Sequence, residues 1–429
     1  MKIPRTLILI GCGVATAINS VFSQGWTQID APNRMWTSIA SSADGSKLVA
    51  TSLGWSYYIS TNSGTTWSSN REPQFGSDLG SWSCVASSAD GEKFVAAAAG
   101  SIWASTNSGV NWTSNNIPGV SGFTAVASSA DGIRLVAAAG GRSSISGPIC
   151  VSTDSGSTWA QTTAPIGYWT SVASSADGTK LAATDGGSNL GTNGGSIYLS
   201  SDSGAHWAPA SAPTNLNWSD IASSADGSKL VAVSLPLLIN NNVVFAPIYT
   251  STDSGSTWVS NNVPGGSWVS VACSADGNKL VAAAQQAAPN IFTSTNSGGT
   301  WASDGVPDDT LNSVAGSADG NKSVAVAVLG GGIYASQSTP APQLKLTSSG
   351  SNFALSWIVP SAHFELQQND NLNTASWVTL TNTPVLNFTN LQDEIALLPT
   401  GGSSFFRLIS EQVVSEGSLS TWSRAHLIF

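Results

Sequence analysis

Short apolar runs, separated by Ser, Asp and Gly, recur along most of the chain. A segment such as Trp36-Thr37-Ser38-Ile39-Ala40 reads as a strand, and a second such as Lys47-Leu48-Val49-Ala50 follows within ten residues. Between them stands Ser-Ala-Asp-Gly, which recurs with its aspartate at Asp44, Asp90, Asp131, Asp177, Asp226, Asp276 and Asp319. Asp-Gly between two strand-like runs predicts a hairpin, because Gly adopts positive φ without steric cost. A second marker, Ser-Thr-(Asn/Asp)-Ser-Gly-x-x-Trp with small departures, occupies 60–67, 105–112, 152–159, 200–207, 251–258 and 294–301. It follows a further strand, such as Ile197-Tyr198-Leu199.

A third regularity sets the count. A Pro lies six residues after each marker Trp: Trp67/Pro73, Trp112/Pro118, Trp159/Pro165, Trp207/Pro213, Trp258/Pro264 and Trp301/Pro307. A seventh pair, Trp26/Pro32, stands near the start of the chain, and the seventh repeat breaks off at Ile333-Tyr334-Ala335-Ser336. The missing outer strand is therefore expected from the N-terminal segment. Four-stranded repeats of this length, shared between chain ends, predict an all-β fold: a seven-bladed β-propeller closed by the N-terminal strand. Each marker Trp is expected to pack against the neighbouring blade, so that Trp159→Ala would cost about 3–5 kcal/mol.

The second marker resembles the Asp-box, or BNR, repeat. That repeat recurs in sialidases, xyloglucan-degrading hydrolases, sortilin-type receptors and photosystem assembly propellers. The resemblance covers residues 24–337 and implies the propeller. Enzymes and non-enzymes share the repeat, so it leaves function open. Asn62, Asn107 and Asn296 stand where the motif has Asp, which points to turn formation rather than acid chemistry.

Beyond a 338–342 linker (Thr339-Pro340-Ala341-Pro342), new strand-like runs span 343–410: Gln343–Thr347, Phe353–Val359, Phe364–Gln368, Trp377–Leu380, Glu394–Leu398 and Phe405–Ile409. They predict a small β-sandwich of immunoglobulin or fibronectin kind. Leu355-Ser356-Trp357, Phe364-Glu365-Leu366-Gln367 and Phe405-Phe406-Arg407-Leu408 are similar to a C-terminal module of many secreted bacterial proteins. Residues 411–429 form a tail without an assigned element.

Residues 1–23 carry Lys2, Arg5 and an apolar run from Thr6 to Ile18, with Val21-Phe22-Ser23 as a small-residue cleavage site. This is the pattern of an export signal, and it predicts a secreted or cell-surface protein. Leu9-Ile10-Gly11-Cys12 offers the rival of a lipoprotein anchor at Cys12. No other run is long and apolar enough to span a bilayer. A net charge of −10 argues against nucleic acid as a partner. Four Cys and three His leave little material for a metal or haem, so no cofactor is expected. Cys84, Cys150 and Cys273 follow no disulfide spacing and read as buried thiols.

The Asp-Gly and Asp-box turns fall on one face of a propeller, leaving the opposite face to the irregular loops. From marker Asp to marker Trp, repeats 1 to 6 take 23, 22, 28, 30, 32 and 25 residues. The insertions therefore fall in repeats 3, 4 and 5, near 139–149, 185–196 and 234–246. Another lies between Pro73 and Asp90. The candidate ligand site is their mouth: Arg142, Asp185, Asn189, Asn193, Asn240, Asn241 and Phe245, with Phe75 and Asp78 at the edge. A low-charge face rich in Asn, Ser and aromatics suits a glycan or a cell-surface protein, bound without catalysis by a monomer.

The alternative is a glycoside hydrolase, for which Asp78, Asp185, Asp304, Asp308 and Asp309 are the available acids. A sialidase would need an Arg triad. Of the propeller's Arg34, Arg71, Arg134 and Arg142, only Arg134 falls on the uniform-turn face.

Overall fold

The computed structural model describes residues 25–428, apart from 55, 72–81, 99, 142–145, 188–193, 240–241, 246, 262, 264–265, 286–288, 308–309, 329–330, 339–343, 350–351, 361–363, 371–375, 382, 398–403 and 411–426. All regular structure among the described residues is β, and no helix long and apolar enough to cross a membrane occurs there. Contacts divide the chain into one compact unit built on Ser23–Ser338 and another built on the residues from Thr339 onward.

The first unit contains seven four-stranded antiparallel sheets. In sheet 1 the strands run Trp36–Ser41, Leu48–Ser52, Ser56–Ser60 and Ser68–Arg71, in sequence order; we call them A to D. Sheets 2 to 6 repeat that order. The seventh takes strands A to C from Leu311–Gly316, Lys322–Ala327 and Ile333–Gln337, and its fourth strand is Thr27–Ile29. Thr27 pairs with Ala335 and Ile29 with Ile333.

Strand A makes most of the contacts between sheets. Its register slips by one residue in all seven sheets, after the first position in five, as between Trp36 and Ser38, and after the second in sheets 5 and 6, as between Trp218 and Asp220. A bulge frees a residue from the ladder and turns its groups aside. The freed hydroxyls donate to the carbonyl just before the slip in the next strand A: Ser83 to Phe123, Thr124 to Trp169, Thr170 to Trp218 and Ser219 to Trp268, at 2.8–3.0 Å. Val269 has no donor, and the Gln285 amide bonds the Leu311 carbonyl instead, at 2.8 Å.

Past the end of strand A, the alanine amide of each Ala-Asp-Gly donates to the equivalent carbonyl of the next sheet. The bonds run Ala43 to Ala89, Ala130, Ala176, Ala225, Ala275 and Ala318, and Ala318 donates back to Ala43.

The core of this unit lies between sheets rather than within them. Strand B is buried throughout in sheet 1, because both its faces are covered. One apolar cluster joins Val49, Tyr57 and Ile59 of sheet 1 to Trp82, Phe94 and Trp103 of sheet 2. The seam between sheets 7 and 1 has its own, with Val324, Val326 and Ile333 against Trp36, Ile39 and Leu48.

The fully buried tryptophans are Trp36, Trp82, Trp169, Trp218 and Trp268, each at the first or second position of strand A. All five meet a strand C aromatic edge-on: Tyr58 at 5.0 Å, Trp103 at 6.1 Å, Tyr198 and Tyr249 at 5.4 Å, and Phe292 at 5.3 Å. Trp159, by contrast, is half-buried against the cluster of sheets 2 and 3, so its removal costs less than the sequence suggested.

The second unit has two four-stranded sheets. One contains Lys345–Ser349, Asn352–Ile358, Gln392–Leu397 and Val385–Asn387; the other Val378–Thr379, Phe364–Asn369, Phe405–Ser410 and Leu427–Ile428. Leu355, Trp357 and Ile395 of the first pack with Leu366, Phe406 and Leu408 of the second. Within the tail that the sequence left unassigned, Leu427–Ile428 pairs with Phe405–Phe406. Two residues are too short a run to register as a strand in sequence.

Candidate functional site

The two faces of the first unit are built differently. On one, each Asp-Gly turn closes on its own side chains. In sheet 1 the Ser42 hydroxyl donates to Asp44 Oδ1 at 2.6 Å, the Ser46 amide donates to the same oxygen, and the Lys47 amide donates to Ser42 Oγ. These bonds hold the Asp44 carboxyl below its ordinary pKa, although burial opposes them.

The C–D turns lie on the same face, because each donates an amide to the A–B turn of its own sheet, as Ser63 does to the Ser46 carbonyl. Within the C–D turn of sheet 5, Asp253 Oδ1 accepts the Thr257 amide and Oδ2 the Thr257 hydroxyl, at 2.8 and 2.6 Å. In sheet 1 Asn62 Oδ1 accepts the Thr66 amide at 2.8 Å, while its amide nitrogen pairs with the Thr66 hydroxyl. Asn and Asp thus build one turn, with the Thr hydroxyl reversing its role. The turn takes two successive left-handed residues, Ser63 and Gly64. Sequence reasoning anticipated the glycine and missed the serine.

A ring of cations crosses the seams on this face. The side chains of Lys47, Lys93, Arg134, Lys180, Lys229, Lys279 and Lys322 lie over the Asp-Gly turn of the next sheet. Lys93 Nζ donates to the Asp131 carbonyl and Arg134 to the Asp177 carbonyl, each at 2.8 Å, and Lys47 pairs with Glu92. A methyl group on Gly91 would lie 2.7 Å from Lys47 Cδ, so the glycine also admits the lysine stem. Among described side chains of this unit, Arg34 is the one Lys or Arg outside the ring.

The opposite face carries the irregular loops. Of the nine residues predicted for a ligand site, Phe75, Asp78, Arg142, Asn189, Asn193, Asn240 and Asn241 lie outside the described residues, as do Asp308 and Asp309. Asp185 ends strand B of sheet 4 and accepts the Gly187 amide at 2.8 Å, which makes it the root of a turn. Beside it, Gly195 bridges to Leu216 so closely that a methyl group would overlap the Asp185 carbonyl.

Phe245 lies in the insertion of sheet 5, just after a separate hairpin of Leu237–Ile239 and Asn242–Val244. Val243, Val244 and Phe245 are 56%, 42% and 49% exposed. No charged residue occurs between Lys229 and Asp253. Asp185 and Phe245 therefore share this face but belong to different sheets.

Arg34 is exposed near the start of sheet 1, where its Nε donates to the Tyr58 hydroxyl at 2.7 Å. It adjoins an open groove of about 490 Å³ lined by Gln28, Ile29, Asp30, Ala31 and Asn33. Asp304 accepts the Gly305 amide at 2.8 Å. Among the described residues, no three His, Cys, Asp or Glu side chains gather as a metal would require. Burial pushes the Cys84 and Cys273 thiols up to about 12 and that of Cys150 to about 11, which keeps them neutral. Enclosure also raises Asp220, although it accepts Ser171 Oγ at 2.6 Å and the Val271 amide at 2.8 Å, bridging sheets 4, 5 and 6.

Solved structures resemble this arrangement. One described as YCF48 bound to D1 peptide aligns over 73% of this chain and 96% of its own, at 16% identity and a TM-score of 0.54. Hydrazine synthase of Kuenenia stuttgartiensis aligns over 73% and 97%, at 16% identity and 0.56. YCF48 from Cyanidioschyzon merolae aligns over 73% and 98%, at 17% identity and 0.51. No protein-family model matches the chain, and no curated protein does. At these identities the likeness concerns fold alone, and that fold is a β-propeller.

Proposed function

We propose that this chain is an exported seven-bladed Asp-box propeller, closed by its N-terminal strand and followed by a small β-sandwich. It binds a segment of another protein, without catalysis, through the face of variable loops. The observation that carries this reading is the uncharged hairpin of blade 5, with Val243, Val244 and Phe245 exposed together. Isolated two-stranded hairpins are marginal in water, and exposed apolar strands without charge or bulge invite pairing with another strand. Strand addition would supply main-chain hydrogen bonds, with the alternating side chains giving selectivity. A propeller with a peptide bound, as in the YCF48 structure, supports a protein segment as the ligand.

The test is an array of immobilised twelve-residue peptides probed with the purified protein and with Val243→Asp. Binding to uncharged, β-prone peptides that the variant loses by tenfold or more is the expected result. A blank array, or one the variant reads identically, would refute the reading. Release of sugars from a polysaccharide panel, abolished by Asp304→Asn, would instead favour the hydrolase.

A further inference from the structure

From the outer face of the second sheet in the C-terminal unit, we infer a binding platform for a neutral polysaccharide. The sheet's inner face is committed: Leu366, Phe406 and Leu408 are buried in the core. Side chains alternate along a strand, so Glu365, Gln367 and Arg407 face the other way. Register places Thr379, Gln367 and Arg407 side by side on three adjacent strands. Adjacent strands lie about 4.8 Å apart, so the row spans about 10 Å, enough for two sugar rings.

These groups hold one another in a fixed order. Arg407 donates through both Nε and Nη2 to Gln367 Oε1, at 2.9 and 2.8 Å. That orients the Gln367 amide nitrogen toward Thr379 Oγ1, at 3.3 Å. The Thr379 hydroxyl in turn donates to Glu365 Oε2 at 3.0 Å. The guanidinium lies over the Trp377 indole at 4.2 Å from the ring centre. Trp377 remains half-exposed and Thr379 exposed.

The result is a half-exposed indole beside donors and acceptors that alternate along a rigid sheet. A neutral polysaccharide offers the complement: C–H faces for the indole and hydroxyls that both donate and accept. Charge narrows the class. Arg407 and Glu365 share the face and oppose each other, so neither an anionic nor a cationic polymer gains a net attraction.

Affinity electrophoresis of the purified protein tests this. The gels contain xyloglucan, mixed-linkage β-glucan or galactomannan, with polygalacturonate as the acidic counterpart. Retardation by at least one neutral polymer is expected, with affinity reduced about tenfold in Trp377→Ala, the size of one lost ring contact. Gln367→Ala should lose a smaller factor, and Val385→Ala, at an exposed position on the other sheet, should lose none.

Should Trp377→Ala fail to fold, Gln367→Ala and Thr379→Val carry the test. The inference is overturned if no neutral polymer retards the protein or if retardation survives both Trp377→Ala and Gln367→Ala. It is also overturned if polygalacturonate retards the protein more strongly than any neutral polymer. A fall in melting temperature for Trp377→Ala, with no binding in the wild type, would make the stack a purely structural one.

Discussion

The two faces of the propeller unit are made from the same strands and follow opposite rules. On the face of the Asp-Gly and C–D turns, nearly every polar group is assigned to a turn or to a neighbouring sheet. Ser42 and Asp44 close one turn, Ser60 and Asn62 another, and Lys47 reaches the next sheet. The other face has no such repeat. Its Gly147–Gly167 and Gly195–Leu216 bridges tie down the roots of the insertions, and Val243, Val244 and Phe245 stand exposed. On the first face the polar groups are spent on the turns and on the seams between sheets. The face left out of the repeat is free to recognise a ligand.

Four experiments would sharpen or break that contrast. The largest effect belongs to a root glycine. Gly195→Ala should destabilise the unit by about 4 kcal/mol or more, because the methyl group meets backbone rather than a yielding side chain. Equilibrium urea denaturation reads this, and a loss below 1 kcal/mol, on the order of a surface change, would mean that the insertion root is loose.

The same method should separate the two classes of tryptophan. Trp169→Ala removes a fully buried ring and its bond to the Gly147 carbonyl, for about 3–5 kcal/mol; Trp159→Ala, half-buried, should cost about 2 kcal/mol.

A titration effect comes third. Burial raises Asp220 above the ordinary carboxylate range, so the folded state holds that proton longer than the unfolded state. Its contribution is then complete below the unfolded pKa and is lost as pH rises through the folded one. Asp220→Asn should therefore gain stability relative to wild type between acid and neutral pH. A pH-independent difference in melting temperature would contradict this.

The smallest effect compares turns of one shape. Hydrogen bonds hold Asp202, through the His206 amide first, and Asp253, through the Thr257 hydroxyl first, down at about 2. Their support is present above the ordinary carboxylate pKa and is lost as pH falls through about 2. Asn62, Asn107 and Asn296 have no such proton to take up. Hydrogen exchange, corrected for intrinsic rates, should show the C–D turns of sheets 4 and 5 loosening toward pH 2 while those of sheets 1, 2 and 6 hold. Uniform loosening would mean that the carboxylates carry no special share.

The turns were legible because their geometry is made by side chains at fixed offsets within a few residues. The offsets of Ser42, Asp44 and Gly45 are themselves the hydrogen-bond pattern. The cation ring was not legible. Lys47 follows its own Asp-Gly, but the turn it covers is Gly91, and that neighbour exists only once the sheets assemble. The buried tryptophans of strand A were hidden for the same reason: Trp36 and Trp67 both pack at the seam of sheets 7 and 1, and only the assembled sheets bury Trp36 completely. The candidate site was legible as loop length and little more. An insertion near 234–246 was evident, whereas its form as an exposed hairpin depends on strands pairing with each other and not with the blade.

The pairing of Thr27 with Ala335 joins residues 308 positions apart in the chain. Contacts of such separation form slowly, since the intervening chain must give up its freedom before they repay it. Each of the first six sheets can fold from a local stretch as it emerges from synthesis. The strand at Thr27–Ile29, among the first of the described residues to appear, must then wait unpaired until Ile333–Gln337 arrives. The seventh sheet therefore has a birth order, with its outer edge open until the end, and the interval before that pairing is when an apolar edge is most exposed to a wrong partner.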